Sequence, residues 1–168
     1  MIVLGIDVGL RVTGYVICDV KNNNVKLIKE GEIKPSLSTK LPRRLLYIYK
    51  ELSEIISIYN PQVAVGEKLY SHYRHPTTVA LLAQVRGVIL FVIENFGLDF
   101  YEYSPARVRK SFLGKGNANS LQIKRMAENI LGKSLISQHT ADAFSLVVAF
   151  SHIHRFDKIL KNDWKIKG

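Results

Sequence analysis

The stretch Ile2-Val3-Leu4-Gly5-Ile6-Asp7-Val8-Gly9 decides the fold. It is an apolar run with one carboxylate near its end, closed by a glycine. A run this short reads as a strand buried on both faces. An aspartate in such a strand is costly unless something pairs with it. Either a metal ion or a catalytic role at the strand end explains Asp7, or its oxygen turns onto backbone amides at the Gly9 turn. The stretch alone leaves both open.

Downstream, Thr13 to Val20 is rich in β-branched and apolar residues, and Lys21-Asn22-Asn23-Asn24 is a polar turn. Val25 to Ile33 alternates apolar and polar residues, so the first three strands read as an antiparallel meander. Leu41 to Asn60 carries apolar residues at helical spacing, with Pro42 in its first turn and Asn60-Pro61 as its stop. Val63-Ala64-Val65 is a further buried strand running into Glu67. Pro76 opens a second helix to about Phe96, apolar on more than one side, with Gly97 as its stop. A helix of that kind needs covering on two faces, by the sheet and by a second helix or subunit. Asp99 to Tyr103 makes the fifth strand. Short helices follow from Ser104-Pro105 to near Gly114 and from Leu121 to Leu131, and a last long one from Gln138 to His154. A meander followed by alternating units predicts an α/β fold, a mixed five-stranded sheet with helices on both faces.

The chain has 168 residues, which suits one domain with a full core. Its 47% hydrophobic and 23% charged content is that of a folded protein. A net charge of +10 points to a polyanionic partner, nucleic acid first, while a merely basic protein is the plain alternative. The single Cys18 excludes an internal disulfide and a cysteine-based zinc site, and reads as a small core residue. No basic leader opens the chain, and no apolar run is read as reaching the ~18 residues of a membrane span. These features set the expectation of a cytoplasmic protein without a membrane partner.

Asp7 ends the first strand and Glu67 lies just beyond the fourth. In α/β sheets, such strand ends form the usual site crevice. Two carboxylates meeting there repel unless a cation lies between them. His139 and Asp142, three residues apart, share one face of the last helix's first turn. Three oxygen donors with an imidazole suit Mg²⁺ or Mn²⁺ better than Zn²⁺. Acidic clusters of this kind serve phosphoryl transfer with two metals held about 3.5–4 Å apart. Each residue has a plainer reading: Glu67 as a surface residue, His139 and Asp142 as ordinary residues near a helix N-terminus. Their combination in a strongly basic chain favours the metal site.

The motifs then align with a known family. Gly5-Ile6-Asp7-Val8-Gly9 with Arg11-Val12-Thr13-Gly14-Tyr15, Gly66-Glu67, Gln84-Val85-Arg86-Gly87, Tyr103 to Gly116 and His139-Thr140-Ala141-Asp142-Ala143 resemble RuvC-type Holliday junction resolvases, within the RNase H-like superfamily. The resemblance spans nearly the whole chain except its C-terminal end. It implies an RNase H-like nuclease domain over residues 1–157 and a basic tail over 158–168. It also implies a homodimer that binds a four-way DNA junction and nicks it symmetrically during homologous recombination and DNA repair. Two Mg²⁺ per subunit, or Mn²⁺ in their place, would be held by Asp7, Glu67 and Asp142. The position of His139 is Asp in some members and His in others, so it is a ligand or a proton carrier. The helix from Pro76 would form the dimer interface. Tyr70 falls where the family places an aromatic that stacks on a junction base, with Tyr73 as the alternative and Arg74 beside them. A branch-migration helicase complex is a candidate partner.

The chain departs from the family pattern at Val8, where Pro is usual, and at Ser120, where Lys is usual. Arg109 is retained, and Lys115 or Lys124 is the candidate substitute for the missing lysine. Arg107, Arg109, Lys110, Lys115, Lys124 and Arg125 read as phosphate contacts, the plain alternative being a solvated helix face. Gly114-Lys115-Gly116 is no nucleotide loop, because its upstream glycine is missing. His72, His75, His152 and His154 lack a third donor and read as loop and helix-end residues. Rival functions are an RNase H-like nuclease of another substrate, a non-enzymatic junction binder and an actin-like phosphotransferase. The carboxylate cluster argues against the second, and the chain length and missing nucleotide loop against the third.

Overall fold

The computed structural model describes the backbone of residues 1–22, 24–69 and 76–165. Strands β1 (Ile2–Asp7), β2 (Thr13–Lys21) and β3 (Asn24–Ile33) form the antiparallel meander. Strand β4 (Val63–Glu67) runs parallel to β1, and β5 (Asp99–Tyr103) runs parallel to β4. The sheet order is β3-β2-β1-β4-β5, so β1 sits at the centre with a covered neighbour on each side.

Pleat alternation divides the β1 side chains between two cores. Val3 joins Val16, Cys18, Val63 and Val65 on one face, beneath helices α3 (Pro105–Leu113), α4 (Ser120–Leu131) and α5 (Gln138–Lys165). Leu4 and Ile6 join Ile17, Ile33 and Ala64 on the other face, against α1 (Leu41–Tyr59) and α2 (Pro76–Asn95). The same parity governs the strand ends. Asp7 follows Val3 and Gly5 at two-residue steps, and Glu67 follows Val63 and Val65, so both carboxylates belong to the α5 face.

Two glycines let α5 lie close on that face. A Cβ on Gly5 would meet the Ala143 carbonyl oxygen at 2.4 Å, and one on Gly14 would meet the His139 carbonyl carbon at 2.4 Å. Any side chain at either position pushes the start of α5 off the sheet. Fully buried Phe144, Val147 and Phe150 then hold the helix there.

The helix ends follow local chemistry. Asn60 closes α1 in the left-handed region at φ 45°, and Ser104 caps α3 by accepting from the Arg107 amide. Asn119 and Gln122 form a reciprocal capping box at the start of α4. Helix α5 runs on to Lys165 rather than ending at His154. Its sequence beyond His154 holds neither Gly nor Pro to stop it before the last residue, and the expected boundary at residue 157 falls inside it.

One expectation needs correction. Helix α2 is long and apolar enough, by length and composition, to cross a membrane. Aliphatic runs on either side of Gln84, Arg86 and Gly87 keep its average high, while those three residues interrupt the run and hid this from a count of uninterrupted apolar residues. Its inner stripe, Leu82, Val85, Ile89, Val92 and Ile93, is buried in this fold, and mid-helix Arg86 is ion-paired to Glu102 on β5.

Candidate active site

The site lies at the carboxyl edge of the sheet. The β1–β4 register ends at Ile6↔Gly66, so Asp7 and Glu67 are the next residues on adjacent parallel strands. Past Asp7 the chain turns sharply, and a Cβ on Gly9 would stand 2.2 Å from the Val12 carbonyl oxygen. Arg44 of α1 donates to the Leu10 carbonyl and ties this turn to the opposite layer.

The first turn of α5 closes the site from above. His139 Nδ1 lies 2.7 Å from Asp7 Oδ2, the imidazole donating to the carboxylate. One turn on, Asp142 Oδ1 accepts from Gln138 Nε2 at 3.1 Å. Asp7, Glu67 and Asp142 line one small cavity with Arg109 and Ser120. A larger cleft of about 600 Å³ opens beside it, with Asp7, Glu67, Lys68, Arg86 and Arg109 among its walls.

The electrostatics are those of crowded carboxylates. Burial, then the Asp7 charge, pushes the Glu67 carboxyl up to about 7, with Arg109 pulling the other way. Burial and Asp7 raise Asp142 to about 6 against opposing pulls from Gln138, His139 and Arg109. His139 holds its proton above the ordinary histidine range, chiefly through its bond to Asp7. Glu32 of β3 is half-buried, which works against its ionisation, yet Lys34, Ser137 and the charge of His139 hold its carboxyl below the ordinary range.

This donor set fits a hard divalent cation. The raised proton affinity of Glu67 and Asp142 beside the Asp7 charge is what a cation between them would relieve, and the imidazole is a further donor. Among the described residues no three His, Cys, Asp or Glu side chains are gathered tightly enough to form a ready-made ligand sphere. Asp7, Glu67 and Asp142 line one cavity, and His139 joins them through Asp7.

The basic candidates divide. Arg109 lines both the cleft and the cavity. Arg107 instead covers the Tyr103 ring at 5.4 Å. Lys124 lies 3.9 Å from Glu128 on its own helix, and Lys110 and Lys115 are exposed beyond the cleft walls. Ser120 lines the carboxylate cavity, so the residue standing in for the usual lysine is at the site, while Lys115 and Lys124 are not among the walls of that cavity. Tyr70, Tyr73 and Arg74, with His72 and His75, lie outside the described residues. His152 pairs with Ser111 at 3.4 Å and His154 stacks on Phe150, as structural histidines do.

Sequence reasoning missed Lys68, Arg86 and Glu32. Arg86 lay within a quoted motif, but nothing in the sequence names its partners. Its Nη1 donates to the Glu67 carbonyl at 2.9 Å, and its guanidinium pairs with Glu102.

A family model described as crossover junction endodeoxyribonuclease RuvC matches residues 3–152. The chain belongs to the RuvC family. A RuvC-family relative from Caldicellulosiruptor saccharolyticus, named crossover junction endodeoxyribonuclease RuvC, is 39% identical over 161 residues, covering 95% of this chain and 96% of the relative. One of the same name from Syntrophomonas wolfei is 35% identical, covering 93% and 90%. Among solved structures, Thermus thermophilus RuvC in complex with a Holliday junction substrate superposes with a TM-score of 0.86 at 24% identity, covering 94% of this chain and 96% of that one. The RuvC fold thus accounts for the sheet order and the placement of α5.

Proposed function

We propose that Asp7, Glu67 and Asp142 hold divalent metal in this RuvC-family endonuclease, which resolves four-way DNA junctions by hydrolysing one phosphodiester in each of two opposed strands. The observation that carries the reading is the meeting of three carboxylates and His139 at one sheet edge, with two of those carboxyls raised to about 7 and about 6. Relatives named as crossover junction endodeoxyribonucleases over nearly their whole length support it. Mg²⁺ is the proposed ion, two per subunit, with Mn²⁺ able to substitute.

Bound metal supplies Lewis-acid stabilisation of the scissile phosphate and a lowered pKa for the attacking water. The chain's own groups do the rest. Asp7 and Glu67 come from neighbouring strand ends, so their spacing is set by the sheet and not by a mobile loop. Donation from His139 Nδ1 orients Asp7 and leaves Nε2 to give or take the proton exchanged at the phosphate. The Arg109 guanidinium is a positive counterpart for the phosphate in the cleft. Lys68, on its rim, adds charge of the kind that makes binding strong and salt-dependent.

Paired nicks call for two sites related by a two-fold axis. The outer faces of α1 and α2 form an apolar groove of about 460 Å³ lined by Leu45, Leu46, Tyr49, Val88 and Phe91. Burying this patch against a second copy gives an isologous homodimer. A cytoplasmic location suits the proposed DNA substrate, and a branch-migration helicase complex is a partner to test.

Asp7→Asn tests the metal assignment. It should abolish cleavage while leaving junction binding in chelator intact. Loss of binding together with cleavage would sink Asp7 as a ligand.

A further inference from the structure

One side chain bordering the cleft, on α2, is engaged on two sides, and the chemistry above does not use it. Arg86 is 15% exposed. Its Nη1 donates to the Glu67 carbonyl at 2.9 Å, and its Nη2 is ion-paired with Glu102 on β5. Glu67 is the last residue of β4. A carbonyl at a strand end has outrun its ladder and needs another donor. The pairing of Glu67 with Tyr103 is also the last in the β4–β5 register, just where α3 begins at Pro105. Arg86 therefore braces the end of one strand and the neighbouring strand at once. The planar guanidinium suits this, because it presents several donors in a fixed fork.

We propose that Arg86 is a positioning residue for the proposed metal ligand Glu67, with Glu102 as the counter-ion that holds the guanidinium in place. The inference rests on the reading of Glu67 as a metal ligand. An arginine in a nuclease cleft has an obvious competing role, which is contact with substrate phosphate. The geometry favours bracing: one nitrogen faces a backbone carbonyl and another faces a carboxylate. A phosphate contact would leave these donors turned to the open cleft. Because α2 also carries one side of the apolar groove, the brace connects that surface to the site through a single side chain.

The test compares Arg86→Ala, Arg86→Lys, Glu102→Gln and Glu67→Gln with the unaltered protein. Three quantities are read: junction affinity in chelator, Mn²⁺ binding by electron paramagnetic resonance, and single-turnover cleavage at saturating junction. For Arg86→Ala the expectation is a roughly 10–100-fold loss of cleavage rate with weakened Mn²⁺ binding, the usual scale for removing support behind a metal ligand, and an unchanged junction affinity. Arg86→Lys, keeping charge but not the fork, should recover part of both. Glu102→Gln should weaken Mn²⁺ binding less than Arg86→Ala. A tenfold loss of junction affinity with normal Mn²⁺ binding would overturn the proposal in favour of phosphate contact. Full activity of Arg86→Ala would overturn it too. If Arg86→Ala does not fold, Arg86→Lys and Glu102→Gln decide alone, and normal Mn²⁺ binding by both would refute the brace. If Glu67→Gln cleaves and binds Mn²⁺ like the unaltered protein, the underlying reading of Glu67 has failed, a result distinct from any of these.

Discussion

At the residue scale, the Glu67 carboxyl gives the site a testable pH signature. Its ordinary value is 4.5, and burial with the Asp7 charge raises it to about 7 in the folded, metal-free chain. Between these values the folded protein keeps a proton that the unfolded chain has released. Stability then falls as pH rises through that window. His139 adds in the same direction: its raised value favours the folded state below the ordinary histidine range and loses that contribution as pH rises through the folded value. The melting temperature measured in chelator should therefore fall between pH 5 and pH 8, and Glu67→Gln should flatten the slope. A melting temperature that rises with pH over that range would contradict the assignment. Asp7 and Glu67 were legible in the sequence because each is a lone carboxylate at the end of an apolar strand. Glu32 was not, since it falls in an ordinary alternating strand and gains meaning only when Ser137 and His139 are brought over it.

At the element scale, the site depends on how α5 meets β1 and β2. The sequence shows Gly5 and Gly14 only as glycines in strands, and their role appears once the helix is seated. Gly14→Ala would drive a methyl group to 2.4 Å from the His139 backbone. Overpacking of this kind typically costs about 1–3 kcal/mol. Here the helix start should also be displaced, so cleavage should drop by more than the stability loss explains. Circular dichroism with single-turnover cleavage checks this, and normal cleavage by Gly14→Ala would contradict it. Strands, helix starts and most helix stops followed from periodicity, caps and Gly or Pro signals. The Arg86 contacts did not, because they join residues 19 and 16 positions apart through side-chain direction, which no periodicity encodes. The end of α5 escaped for a simpler reason: a helix lacking a stop signal continues.

At the scale of the whole molecule, the two faces of the sheet have different duties. The α5 face carries the carboxylates, and the α1–α2 face carries the unpartnered apolar groove. Phe91, 62% exposed, lies on that groove and contacts Tyr49 across it. Phe91→Lys should convert a dimer to monomers in analytical ultracentrifugation while leaving the melting temperature of the monomer fold nearly unchanged. A protein that sediments identically with and without the substitution would contradict a dimer through this face. The two-sided apolar character of α2 called, from sequence alone, for cover by a second helix or a second subunit, and it also makes the helix pass for a membrane span by composition.

The central claim is metal-dependent resolution of a four-way junction at the Asp7, Glu67 and Asp142 site. Its most direct test is cleavage of a synthetic four-way junction beside linear duplex and RNA–DNA hybrid, each with Mg²⁺ and with chelator. Paired, symmetric nicks confined to the junction, lost with chelator and lost in Asp7→Asn, are the predicted result. Cleavage of the hybrid in place of the junction, or junction cleavage that persists in chelator, would contradict it.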